Sequence, residues 1–409
     1  MEYVWITCGI VLILYALLDT FFTVLNYNER GLLINRLVGV EWAIIRALTS
    51  RASGKTRRFV YRQMTGVIFV SVVLWWAAAL IFGFALIFHG ANGLGAMRAD
   101  PTAPTGFPGA IYFSIAEFSS VGVADMAPTR GWVGLLSVIE TLIALIVLTM
   151  VITFLFNVFK AIQALRTLCA SFPAECEEVT APAQGLRPFI GGGLGAAAIE
   201  AHLIGIRQAF SAYFDALAQD HLAYYFQSGV DRFALPFAVY QVGGTWESLW
   251  VGFDEDHAIS QLPEMQVLHA AVFRTQRQIY RRYLWKLPAA PEPLDFDQFQ
   301  KQLNATPTDP LLARFQASQR QGAALVGTEP SQPTRGTYEK YRLWLPFTTM
   351  IDDFVGRTSH ELGYRPTCVG LEQTEVSRVQ AFGWNVTTVT APQFSMVGGT
   401  DYTKDSDKP

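Results

Sequence analysis

The chain has 409 residues, 51% of them hydrophobic and only 16% charged, with a mean hydropathy of +0.25. Soluble domains carry about a quarter charged residues, and the apolar runs here crowd into the first 160 positions, so a membrane domain followed by a soluble one is expected. The net charge of -3, with no block of like charges, argues against a nucleic-acid partner.

Spanning about 30 Å of hydrocarbon takes roughly 20 helical residues, and three segments suffice: 3–25, 64–88 and 132–159. The first has no basic leader and no small-x-small cleavage site, which argues against a signal peptide. Asp19, near its far end, is expected either to reach the interface or to pair with an arginine of the loop that follows. That loop carries Arg30, Arg36, Arg46, Arg51, Lys55, Arg57, Arg58 and Arg62, whereas 89–118 carries only Arg98. The positive-inside rule then puts the N-terminus outside, the 89–131 stretch outward and the C-terminal half in the cytoplasm of a plasma-membrane protein. Within the loop, Leu32, Leu33, Leu37, Val40, Ile44, Ile45 and Leu48 recur near helical spacing. Such a helix can lie on the inner leaflet or pack on the cytoplasmic domain.

After a Pro- and Gly-rich stretch at 101–109 comes a helix-like piece, 110–119, too short to cross, and then the polar run SSVGVAD at 119–125. Non-helical backbone at membrane depth is tolerated only when buried in protein or lining a water-filled path. The pattern predicts a re-entrant segment; an external hairpin loop is the alternative. Glu140, two turns into the third span, is an intramembrane acid and a functional candidate for that reason.

Residues Tyr112-Phe113-Ser114 through Asp125, followed by Ala127-Pro128, resemble the pore segment of two-transmembrane-helix potassium channels, whose filter reads T-T-V-G-Y-G-D. Ser119 and Ser120 stand at the paired threonines, Val121 and Gly122 match, and Asp125 matches the acid after the filter. The third span, with Ser137 to Glu140 in the register that follows the pore, resembles the inner helix. The resemblance covers about 65–159. It implies a homotetramer whose loops line one axis, with the backbone carbonyls of Ser120, Val121, Gly122, Val123 and Ala124 coordinating permeating cations in place of their hydration shell. Val123 replaces the tyrosine that ties the filter to its surroundings. Ala124 replaces a glycine for which positive φ is expected, at a cost of about 1 kcal/mol per subunit. These departures put K+ selectivity in question and leave permeation of K+, or of K+ and Na+ together. Glu117, Asp125 and Glu140 are expected to support the filter. Glu117 either braces it, sharing a proton with Asp125, or faces an external vestibule. Ala144 lies where a hinge glycine often sits in that family.

Beyond 160, residues 161–195 read as a linker, 196–390 as a mostly helical cytoplasmic domain and 391–409 as a disordered tail. Helices are expected over 196–217 and 265–287, and a hairpin over 239–253 with Gly243-Gly244 as its turn. Gly193-Leu-Gly195-Ala-Ala-Ala198 fits a dinucleotide pattern but follows no strand. Cys8, Cys169, Cys176 and Cys368 have neither metal-ligand spacing nor a disulfide framework, and Ser359-His360-Glu361, being contiguous, forms no catalytic centre. The expectation is an all-α membrane protein in three parts, 1–63, 64–160 and 196–390. It would be a cation channel gated through its cytoplasmic domain, in contact with the bilayer, neither an enzyme nor a cofactor binder. A non-conducting membrane-anchored sensor or scaffold of degenerate channel fold is the alternative.

Overall fold

The computed structural model describes residues 1–25, 34–51, 54–172, 182–190, 195–227, 233–284, 287–305, 307–327, 330 and 332–364. The expected disordered tail, Cys176, Cys368 and Gly193 lie outside the described residues. Among the described residues three helices are long and apolar enough to cross a membrane: α1 (Glu2–Leu25), α3 (Gly54–Gly93, its apolar part from Phe59) and α5 (Gly131–Ala170). At 1.5 Å per residue the two 40-residue helices are each about 60 Å long, twice a hydrocarbon core. Both therefore run well past the segments read from hydropathy.

Helix α1 lies antiparallel on α3 along a seam of small residues. A Cβ on Gly9 would strike the Gly83 carbonyl oxygen, and one on Gly90 would come 2.7 Å from the Glu2 carbonyl oxygen. Such close backbone approach is the membrane substitute for a hydrophobic drive between helices. Asp19 is fully buried and accepts the Trp76 indole N–H at 3.1 Å, so it sits between the helices instead of at the interface.

Between α3 and α5 come β1 (Met97–Ala99), α4 (Gly106–Phe118) and β2 (Met126–Pro128). The strands pair antiparallel, Met97 opposite Pro128 and Ala99 opposite Met126. Three-residue strands carry no periodicity that a sequence could betray. Met97, Met126, Phe113, Phe88, Phe84 and Ile13 share one buried apolar cluster, which fastens ribbon, α4 and the α1–α3 pair together.

Helix α2 (Ile34–Thr49) buries Ile34, Val38 and Trp42, with Trp42 packed on Tyr61 and Tyr225 at ring-centroid distances of 5.0 and 5.1 Å. The C-terminal part follows as α6 (Arg187–Ile190), α7 (Gly195–Gln219), α8 (Leu235–Gly252), α9 (Pro263–Ile279, running into a π turn at Tyr280–Leu284), α10 (Phe296–Leu303), α11 (Pro310–Val326) and α12 (Arg335–Leu362). Its hub is α8, buried almost all round. The expected hairpin at 239–253 is thus overturned. Gly243 and Gly244 make no turn but let neighbours approach, Ile351 on one side and Pro182 on the other. Buried polarity on α8 is matched: Glu247 accepts from Arg314 at 2.9 and 3.2 Å, from Ser318 at 2.9 Å and from Thr348 at 3.2 Å. Arg314 also reaches Asp352 at 2.6 Å.

Of the expected linker at 161–195, residues 173–181 and 191–194 lie outside the described residues, and the described parts are helical. Helix α5 carries on to Ala170, and Ala183 and Leu186 are buried in the C-terminal core. That core is continuous with the membrane helices, joining Met64, Val72, Trp76, Phe154, Val158 and Leu165 to Leu203, Phe210, Trp246 and Trp344.

Candidate functional site

The run 119–125 begins where α4 ends. Ser119 N–H donates to the Ile115 carbonyl at 2.9 Å, Ser120 N–H to Glu117 at 3.0 Å, and the Val121 and Gly122 N–H groups both to Ala116, at 3.0 and 3.2 Å. The loop's own amides thus cap the open end of the helix. In a trans peptide the carbonyl points opposite to the following N–H, so the carbonyls of Ser119, Ser120 and Val121 aim away from α4. Two left-handed residues make this possible: Ser120 at φ +57° and Gly122 at φ +69°. Glycine takes such a backbone freely and serine at a cost. Ala124 has no positive φ, so the expected strain there is absent. The chain runs through Asp125 straight into β2 and needs no left-handed residue at that point.

Among the described residues no hydrogen-bond donor meets the carbonyls of Ser119 through Ala124. Ser119, Ser120, Val121, Gly122 and Ala124 are exposed, Val121 at 79%, whereas Val123 is half-buried against the apolar cluster. Backbone carbonyls are obligatory acceptors, and six in succession without a donor make an oxygen-rich strip. The loop's far end is held by the ribbon: Asp100 N–H donates to the Asp125 carbonyl at 2.8 Å and Thr129 N–H to Ala96 at 2.9 Å.

Behind the loop, two Ser-x-x-Glu pairs interlock. Ser137 of α5 donates to Glu117 of α4 at 2.6 Å, and Ser114 of α4 stands 2.6 Å from Oε1 of Glu140 of α5. Thr141 adds a hydroxyl to the Glu117 carbonyl at 3.2 Å. Ser114 Oγ also lies 2.9 Å from the Ile81 carbonyl oxygen of α3. One hydroxyl has one proton and here faces two acceptors, so the second proton has to come from the Glu140 carboxyl. A neutral Glu140 donates to Ser114, which donates to Ile81. Glu140 is fully buried and its Oε2 meets no partner among the described residues. Three helices are knotted at this point.

The expected Glu117–Asp125 pairing is not what the structure contains. Glu117, one residue before the end of α4, turns to α5, while Asp125 has Tyr112 at 3.5 Å, a marginal hydrogen bond. Ser114, Ser137, Thr141 and the ribbon escaped the sequence reading. The repeated Ser-x-x-Glu spacing, one helical turn in each helix, was the signal that could have exposed the first two. Ala144 faces inward in an unbroken α5. Among the described residues no group of three His, Cys, Asp or Glu side chains could hold a metal ion.

Compared with protein-family models, curated proteins and solved structures, the chain matches none.

Proposed function

We propose that the protein is a homotetrameric cation channel. In this reading α4 and the 119–125 loop form a re-entrant segment, and the carbonyls of Ser120, Val121, Gly122, Val123 and Ala124 take the place of water around K+, or K+ and Na+ together. The observation that carries the reading is the strip of donor-free carbonyls, exposed at the end of a short helix wedged between two spans. Exposed unpaired backbone inside a bilayer has a use only beside water or ions. The negative end of α4 adds to the attraction for a cation. Helix α5 supports the assembly: most of its apolar stretch is exposed, and Leu142, Leu145, Ile146, Leu148 and Phe156 leave a broad arc for copies of itself as well as for lipid.

The likeness to potassium-channel pores and the basic loop between the first two spans support an outward-facing loop in the plasma membrane, with the C-terminal domain in the cytoplasm as the gating element. Ribbon, Glu117, Asp125 and Glu140 then support the filter in place of the missing tyrosine hydroxyl. The test is reconstitution into planar bilayers and measurement of reversal potentials under K+/Na+ gradients. A current carried by monovalent cations, abolished by Gly122→Pro, is the expected result. No current at any voltage, or a protein that remains a monomer, refutes the channel and favours the non-conducting scaffold.

A further inference from the structure

The membrane helices and the C-terminal part meet at the 3-10 turn His221–Tyr225, which follows α7. Tyr225 serves the membrane side: its carbonyl accepts the Thr65 hydroxyl of α3 at 3.3 Å, and its ring lies 5.1 Å from that of Trp42 of α2. Tyr224 serves the other side, stacked on Tyr283 of the π turn at 4.1 Å, with its hydroxyl donating to Glu361 of α12 at 2.7 Å. Two carboxyls therefore hold the turn. Asp220 caps its start, Oδ1 accepting from Leu222 N–H at 3.0 Å, and Glu361 takes the Tyr224 hydroxyl. Asp220 is 4% exposed, and its Oδ2 meets no partner among the described residues. A carboxylate offers about four acceptor positions, so a single amide leaves a buried charge poorly matched, whereas a neutral carboxyl asks for less.

We propose that this turn is a proton-operated clasp: while Asp220 and Glu361 carry protons it fastens α2 and α3 to α12 and the π turn, and when they lose them it opens. What the clasp joins is in direct contact. Helix α12 ends on Gly363 at φ +74°, where a Cβ would come 2.5 Å from the Tyr61 ring of α3. Burial pushes the Asp220 carboxyl up to about 7, against the pull of the Leu222 amide. Burial also raises Glu361, against the Tyr224 hydroxyl and the Arg46 guanidinium of α2. Both carboxyls thus favour the closed turn in their neutral form. An opened turn returns Asp220 to water, where aspartate titrates at about 4. From pH about 4 to 7 the closed form then holds a proton that the open form has lost. Closure weakens as pH rises through that window, by up to about tenfold per pH unit. His360, next to Glu361, works in the opposite sense, since partial burial and the charges of Arg46 and Arg57 lower its value. The clasp works whether or not the 119–125 loop conducts.

The test is hydrogen–deuterium exchange of the full chain in detergent at pH about 5 and about 7, read by mass spectrometry and divided by each amide's intrinsic rate at that pH. Between the two, the parent's peptides over 220–227 lose protection by about tenfold or more, while those over α11, which takes no part in these contacts, change by less than about twofold. Asp220→Asn keeps an acceptor for Leu222 N–H but cannot ionise, so most of the loss disappears. Glu361→Gln keeps an acceptor for the Tyr224 hydroxyl and removes a smaller part of it, and together with the parent it decides the matter if the Asp220 variant does not fold. No loss of protection in the parent overturns the proposal, as does an equal loss over α11, which signals unfolding of the whole chain. So does a loss in either variant as large as the parent's.

Discussion

Replacing Glu140 distinguishes a neutral hydrogen-bonding carboxyl from a buried charge. The Ser114 hydroxyl faces both Glu140 Oε1 and the Ile81 carbonyl, so the carboxyl supplies a proton. A glutamine places an N–H donor and a carbonyl in the same volume. Glu140→Gln therefore changes stability by no more than about 1 kcal/mol, the net worth of a hydrogen bond between neutral groups. Glu140→Ala is different. It removes the donor, at about 1 kcal/mol, and leaves a hole where a side chain with 0% exposure stood, at roughly 2–3 kcal/mol by analogy with large-to-small core changes. The sum, about 3–4 kcal/mol, separates the variants clearly in thermal unfolding of the detergent-solubilised protein followed by circular dichroism. Glu140→Gln as damaging as Glu140→Ala refutes the reasoning, because it means that a carboxylate charge is required.

Gly122→Ala meets no atom within 4 Å but must hold φ +69°, so it costs about 1–2 kcal/mol by strain alone, whereas Ala124→Gly, at a position without positive φ, relieves none; comparing the two melting temperatures checks this. Gly9→Val drives a side chain into the Gly83 carbonyl and costs about 1–3 kcal/mol of overpacking, while Gly66→Ala, with nothing within 4 Å, is neutral or stabilising and serves as its control. Burial pushes the Asp220 carboxyl up to about 7. From pH about 4, the ordinary aspartate value, to 7 the folded chain then holds a proton that the unfolded chain has released, so this group's contribution to stability falls as pH rises. Asp220→Asn can still accept from Leu222 N–H, as the parent does at 3.0 Å. Its melting temperature should therefore gain on the parent's across that window, and a constant difference refutes the assignment.

The spans were legible because twenty apolar residues in a row have few other uses, and the short helix before SSVGVAD because its length forbids crossing. What the sequence concealed has physical reasons. In VYQVGGTWESLWVGF the glycine pair stands between alternating apolar residues, which imitates a hairpin. Only the packing of Ile351 and Pro182 against those glycines turns it into a central helix, and a helix buried on every side has no period to show. Residues Ser120 and Gly122 were visible as a loop, but which of them is left-handed depends on the amides that cap α4. Glu117 could be named but not partnered, because Ser137 is brought to it by the crossing of two helices. The ribbon, three residues a side, had too little sequence to announce itself.

The long helices also govern what can be cut from the molecule. Because α3 and α5 run unbroken from the loop region into the same apolar core as α8 and α12, the C-terminal half shares its interior with Trp42, Tyr61, Met64 and Trp76. A fragment starting at residue 161 would bare the surface those side chains cover and would behave as an aggregating remnant, not as a soluble domain. The same continuity makes the two ends of α5 a single stiff body: a tilt imposed near Ala170 is delivered about 60 Å away at Gly131 without a joint to absorb it.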